Sequence, residues 1–129
     1  NLDDEQLKWI KENGGVVQVV ALDEFLNKTK HEAHLENPKL NPPVDLSDFV
    51  DHIDYIKNLI GIDHVGISSD FDGGGGIEGW QDASQTFNVT LELVKRGYSE
   101  NEISKIWSGN LLRVLDETEK LAKTLQNKN

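Results

Sequence analysis

Apolar positions along this chain fall into two rhythms, and the alternation between them sets the expected fold. Asp3 with Gln6 makes a capping-box signature ahead of Leu7 and Ile10, which repeat at helical spacing until Asn13-Gly14-Gly15 breaks the pattern. Val16 to Leu22, VVQVVAL, is an almost unbroken β-branched and aliphatic run, the pattern of a strand covered on both faces. Residues 27 to 44 are polar, contain Pro38 and the Pro42-Pro43 pair, and are expected to form a long excursion with little regular structure. Leu46, Phe49, Val50, Ile53, Ile56, Leu59 and Ile60 return to intervals of three and four, predicting an amphipathic helix closed by Gly61. His64 to Ser68 is a second, short strand, and it runs straight into Ser69-Asp70-Phe71-Asp72 and the glycines Gly73 to Gly76. Beyond that loop a helix is expected from about Ser84 to Arg96, ended by Gly97. Ser99 with Glu102 then opens a last amphipathic helix through Leu111, Leu115, Thr118 and Leu125.

Strands that alternate with helices, and never meet in tight hairpin turns, predict βαβ units and a parallel sheet, hence an α/β fold. Two strands alone bury too little surface to stand as a parallel sheet. A complete (β/α)₈ barrel needs about 250 residues, and this chain has 129. The expectation is therefore that residues 1–129 are one piece of a larger α/β domain. The absence of methionine points the same way: a chain opening at Asn1 is expected to be a processed product or part of a longer polypeptide.

Charge and composition remove several function classes. With 23 acidic and 13 basic side chains the formal charge is −10, the wrong sign for a nucleic-acid partner. No apolar run is long enough for a membrane-spanning segment, and no leader pattern is visible. The lack of cysteine excludes disulfides and thiolate metal sites, but it leaves the compartment open between the cytoplasm and an extracytoplasmic location.

The densest chemistry lies between Ser69 and Asp82. Catalytic groups of parallel α/β folds gather at the C-terminal ends of strands, where Asp70 and Asp72 are placed. A carboxylate there can act as general base, hold an ammonium or bind a metal, and adjacent glycines let a ligand approach the backbone. The plain alternative is a turn that the aspartates cap and the glycines make. Gly74-x-Gly76-x-x-Gly79 formally fits a dinucleotide fingerprint, but Asp70 and Asp72 crowd the place of the pyrophosphate. A calcium loop opening at Asp70 has Gln81 where its final glutamate belongs. Among the histidines, His31 and His34 have a spacing that could chelate a metal on a helix, His52 is expected to be a buried hydrogen-bonding residue, and His64 to be structural.

Several segments together carry a family resemblance: Gly61-Ile-Asp-His-Val-Gly-Ile-Ser-Ser-Asp70-Phe-Asp72-Gly73, Gln81-Asp82-Ala-Ser84, Lys95-Arg-Gly-Tyr-Ser99 and Gly109-Asn110-Leu-Leu-Arg113-Val. They resemble the C-terminal signature of the membrane (renal) dipeptidase family of zinc metallopeptidases, and Asn13-Gly-Gly-Val-Val and Val50-Asp-His52-Ile-Asp54-Tyr-Ile fit the strand and helix before it. The resemblance implies a (β/α)₈ TIM-type barrel that hydrolyses dipeptides at a two-zinc site, with Val16 to Leu22 and His64 to Ser68 as the seventh and eighth strands. It further implies that Asp70 is the active-site aspartate of the last strand, holding the substrate's free amino group and handling the proton that passes from water to the leaving amine. Gly73 and its neighbours would shape the substrate-binding rim. Phe25 stands near the seventh-strand position where relatives often carry an aromatic hydroxyl, so any substrate contact there lacks that hydrogen bond. Asn110 and Arg113 are expected to tie the final helix to the barrel. The family's zinc ligands belong upstream, so the implied partners are the N-terminal part of the same barrel, a dipeptide and, as in relatives, a second copy in a homodimer. The alternative from another class is a catalytically inactive, barrel-derived binding or scaffold module.

Overall fold

The computed structural model describes residues 1–127. Helix α1 (Asp4–Glu12) starts at the Asp3/Gln6 capping box, with both reciprocal bonds present. Strand β1 (Val17–Val20) is shorter than the apolar run that predicts it. Leu22 leaves the strand to precede a single turn, α2 (Asp23–Leu26).

The segment expected to lack regular structure instead contains helix α3 (Lys28–Glu36). No residue of α3 is buried, so apolar periodicity could not reveal it. Polar contacts hold it instead. Asn27 caps it by accepting from the Lys30 N–H at 3.1 Å, and the Asn27 amide donates to Asp48 at 3.0 Å. The Lys30 ammonium donates to Asp48 at 2.6 Å and Asp45 at 3.0 Å. Burial opposes the charge on Lys30, but the bonds to Asp48 and Asp45 outweigh it and raise its pKa.

Helix α4 (Leu46–Ile60) begins at a second reciprocal capping box, Asp45 with Asp48, and buries Phe49, Val50, Ile53, Ile56 and Ile60. Its chain end at Gly61 has φ +101°, a conformation glycine adopts without a Cβ penalty. A 3₁₀ turn (Ile62–His64) leads into β2 (Val65–Ser68). The strands pair in parallel, with Val17 opposite Val65 and Val20 opposite Ser68, and α4 is the crossover packed on both. Val19, Ala21 and Val65 are buried with the apolar stripe of α4. Gln18 and Val20 alternate with them, so they face the other side of the sheet, as do Gly66 and Ser68.

After the loop at 69–82 come α5 (Thr86–Lys95) and α6 (Glu100–Ser104), the latter opened by the Ser99/Glu102 capping box. The single final helix expected from the pattern is interrupted by a π turn at Lys105–Gly109 before α7 (Asn110–Gln126). That widened turn buries Ile106 while Trp107 donates its indole N–H to Thr90 at 2.9 Å. Asn110, 2% exposed, donates to the carbonyls of Ile62 at 2.7 Å and Val65 at 2.8 Å. Arg113 donates to the carbonyls of Gly14 and Asp63. Both side chains thus tie the last helix to the start of β2.

Candidate active site

The loop that carries Asp70 is stitched to the C-terminal ends of both strands. The Ala21 N–H donates to the Ser68 carbonyl at 2.9 Å, and the Gly76 N–H returns to the Ala21 carbonyl at 2.8 Å. Between them the chain closes tightly on itself. Asp70 and Asp72 adopt left-handed backbone, with φ +54° and +65°, which aspartate tolerates better than most side chains. The Asp70 carbonyl accepts from the N–H groups of Gly73 at 3.0 Å and Gly75 at 2.9 Å. A Cβ added to Gly73 would stand 2.6 Å from Asp70 Oδ1, and one added to Gly75 would stand 2.2 Å from the Ser69 carbonyl oxygen and 2.7 Å from Asp70 Cβ. Asp70 is half-buried, Asp72 exposed. No ion pair among the described residues engages the Asp70 carboxylate.

The far side of the loop is anchored by aromatic packing. Phe71 meets Trp80 edge-on at 5.6 Å, and Trp80 also meets Phe49 at 5.5 Å and Trp107 at 6.2 Å. Trp80 is 3% exposed, and its indole N–H donates to Thr86 Oγ1 at 3.1 Å. Residues 77–80 bond to the entry of α4: the Glu78 N–H donates to the Val44 carbonyl at 3.0 Å, and the Leu46 N–H to the Glu78 carbonyl at 3.2 Å. The excursion after β1 and the loop of Asp70 after β2 therefore form one connected rim. The pattern of the sequence did not mark Trp80 as part of the site. A lone tryptophan closing a glycine-rich polar stretch is the signal that was there.

Asp70 and Gly73 lie together in one turn, and Phe25 does not join them. It is 54% exposed and lines a cleft of about 740 Å³ beside β1, with Leu2, Val20, His52 and Tyr55, to which neither Asp70 nor Gly73 contributes. His31 and His34 do lie on a helix, but each is held separately, His31 to Asp23 and His34 to the Asn41 carbonyl, both at 2.8 Å. His52 donates to the Leu26 carbonyl and His64 to the Gly15 carbonyl, each at 2.8 Å, so both serve the fold. His52 is half-buried rather than buried. Among the described residues no group of three or more His, Asp or Glu side chains can hold a metal ion.

The family model for membrane dipeptidase, peptidase family M19, matches residues 1–129. The chain belongs to the membrane dipeptidase family. It is 37% identical over 126 residues to the dipeptidase aclJ of Aspergillus oryzae, covering 97% of this chain and 28% of that protein. Among solved structures it resembles the probable dipeptidase PvdM from Pseudomonas aeruginosa, with a TM-score of 0.76 and 35% identity over 88% of this chain and 39% of that one. It is also similar, at a TM-score of 0.75 and 28% identity, to a metallopeptidase from Rhodobacter sphaeroides liganded with a phosphinate mimic of the dipeptide L-Ala-D-Ala. That likeness covers 90% of this chain and 31% of that one. The chain thus spans about a quarter of the length of the curated dipeptidases it matches. No helix among the described residues of this dipeptidase-family chain is long and apolar enough to cross a membrane.

Proposed function

We propose that residues 1–129 are the C-terminal part of a (β/α)₈ barrel, β1 and β2 being its seventh and eighth strands, and that the complete protein is a zinc-dependent dipeptidase. The observation that carries this reading is Asp70. In a chain of this family it stands just past the C-terminal end of β2, with its backbone clamped and its carboxylate paired with no cation among the described residues. Two parallel strands with a helix crossover fit one increment of such a barrel.

Among the described residues no cluster fits a metal site, and in this reading the two zinc ions take their ligands from the part of the barrel that lies outside this chain. What this chain supplies is a carboxylate. An ionised Asp70 pairs with the ammonium of a dipeptide through charge-assisted hydrogen bonds, fixing the scissile bond relative to the rim. The same group can accept a proton from the attacking water and return it to the departing amine nitrogen, so that one carboxylate serves as base and then as acid. Gly73 shapes the rim through Asp70, whose carboxylate takes the space that a side chain there would fill.

The test is Asp70→Ala in the full-length, metal-loaded protein. Dipeptide turnover should fall by about 10²- to 10⁴-fold, the usual range for a positioned acid–base group. Metal content, measured by elemental analysis, should stay unchanged. An Asp70→Ala protein that hydrolyses dipeptides at the original rate would remove the assignment.

A further inference from the structure

We propose that Gly73 and Gly75 are positioning residues for the Asp70 carboxylate, required because their missing side chains leave the space that the aspartate occupies. The proposal rests on the reading of Asp70 as the group that holds the substrate ammonium and carries the proton. Six glycines of the chain have positive φ and are explained by backbone conformation, but Gly73 and Gly75 are not among them. Another reason must keep side chains out of these two places, and the geometry supplies it.

At Gly75 a Cβ would lie 2.2 Å from the Ser69 carbonyl oxygen and 2.7 Å from Asp70 Cβ, distances that real Cβ atoms do not show. The Ser69 contact is with backbone, which cannot swing aside as a side chain does. Relief requires the Ser69–Asp70 peptide to move. That movement has little room, because Ser68 is bonded to Ala21, Gly76 is bonded back to Ala21, and the Gly75 N–H holds the Asp70 carbonyl at 2.9 Å. Phe71, next in sequence, is fixed against Trp80. The displacement therefore falls on Asp70 itself. At Gly73 the clash is more selective: a Cβ meets Asp70 Oδ1 at 2.6 Å, and the carboxylate must rotate away. Gly74, between them, differs in kind. Its Cβ would touch only Leu22 Cδ1 at 4.0 Å, and its φ of +111° accounts for it. The two flanking glycines hold the carboxylate, and the middle one makes the turn.

The experiment compares Gly75→Ala, Gly73→Ala and Asp70→Asn, singly and as the double variants with Asp70→Asn, in the full-length, metal-loaded protein. Gly97→Ala is the control, since Gly97 has φ +83° and nothing within 4 Å of an added Cβ. It should lower Tm through backbone strain and leave dipeptide kcat and KM within twofold of the parent. Gly75→Ala and Gly73→Ala should each lower kcat/KM at least tenfold and raise KM at least threefold, because a displaced carboxylate grips the ammonium less well. A mere loss of folded protein would lower apparent kcat and leave KM unchanged. In the Asp70→Asn background the same alanines should change the residual kcat/KM by less than twofold, since the group they position is already gone. If Gly75→Ala does not fold, Gly73→Ala alone decides, its backbone being outside the left-handed region. Alanine variants with unchanged KM, or with the same fold-loss in both backgrounds, would overturn the positioning role. Unchanged turnover in Asp70→Asn would instead overturn the reading of Asp70 on which the role depends.

Discussion

Asp70 shows how much a single side chain depends on atoms that are absent. Its left-handed backbone carries a steric cost of about 1–2 kcal/mol for an ordinary L-residue, offset here by two N–H donors on its carbonyl. Glu102 is perturbed for a different reason. Its carboxylate, ordinarily near 4.5, is pulled down to about 2 by the Lys57 ammonium and then by the Ser99 N–H and hydroxyl. Because the folded value lies below the unfolded one, the stabilisation is fully present above about 4.5 and is lost as pH falls through about 2. The Lys57–Glu102 pair, 2.8 Å apart, is partly exposed, so its contribution is modest. Glu102→Gln should lower the urea midpoint at neutral pH, and the gap to the parent should close as pH approaches 2. A gap that stays constant across that range would show that the pair carries none of the acid sensitivity.

Among the elements, α3 and the π turn depart furthest from the pattern of apolar residues. Helix α3 is fastened at one end by Asn27, Lys30, Asp45 and Asp48, with the Asp48 carboxylate held below the usual range by Lys30 and Asn27 against the opposing effect of burial. Asn27→Ala removes both the cap and the bond to Asp48, and should cost about 1–2 kcal/mol. Hydrogen exchange should then quicken across residues 28–36 while α4 keeps its protection. Equal loosening of α4 would mean that the two helices open together. The π turn likewise carries long-range contacts that apolar spacing does not encode: Ile106 is buried, Trp107 donates to Thr90 and Asn110 donates to the Val65 carbonyl.

For the molecule as a whole, Trp80 joins the loop of Asp70 to α4, through Phe49, and to the π turn, through Trp107. Truncating it leaves a cavity beneath the rim, and Trp80→Ala should destabilise the protein by about 3–5 kcal/mol in denaturant unfolding. A loss below about 1 kcal/mol would show that the loop stands without its aromatic anchor. A second tie fixes α5 to α4: Arg96 donates to Asp51 at 2.6 Å, Asp54 at 2.7 Å and the Ser47 carbonyl at 2.9 Å. The two ties thus meet on α4, one from the loop of Asp70 and one from the end of α5.

Local order was legible from the chain alone. The capping boxes at Asp3 and Ser99, the apolar stripe of α4 and the strand leading into Asp70 are all written within a few consecutive residues, because caps and periodicity act over a turn or two. Folding settled the rest: that α3 is a helix, that Phe25 lies in a cleft apart from Asp70, and that Gly75 and Gly74 do different work although they are neighbours in a run of identical residues. Those outcomes depend on Asp48 meeting Asn27, on Trp80 meeting Phe49 and on Ala21 meeting Gly76. Each pair is brought into contact by chain closure over tens of residues, and a contact of that kind leaves no periodic mark in the sequence.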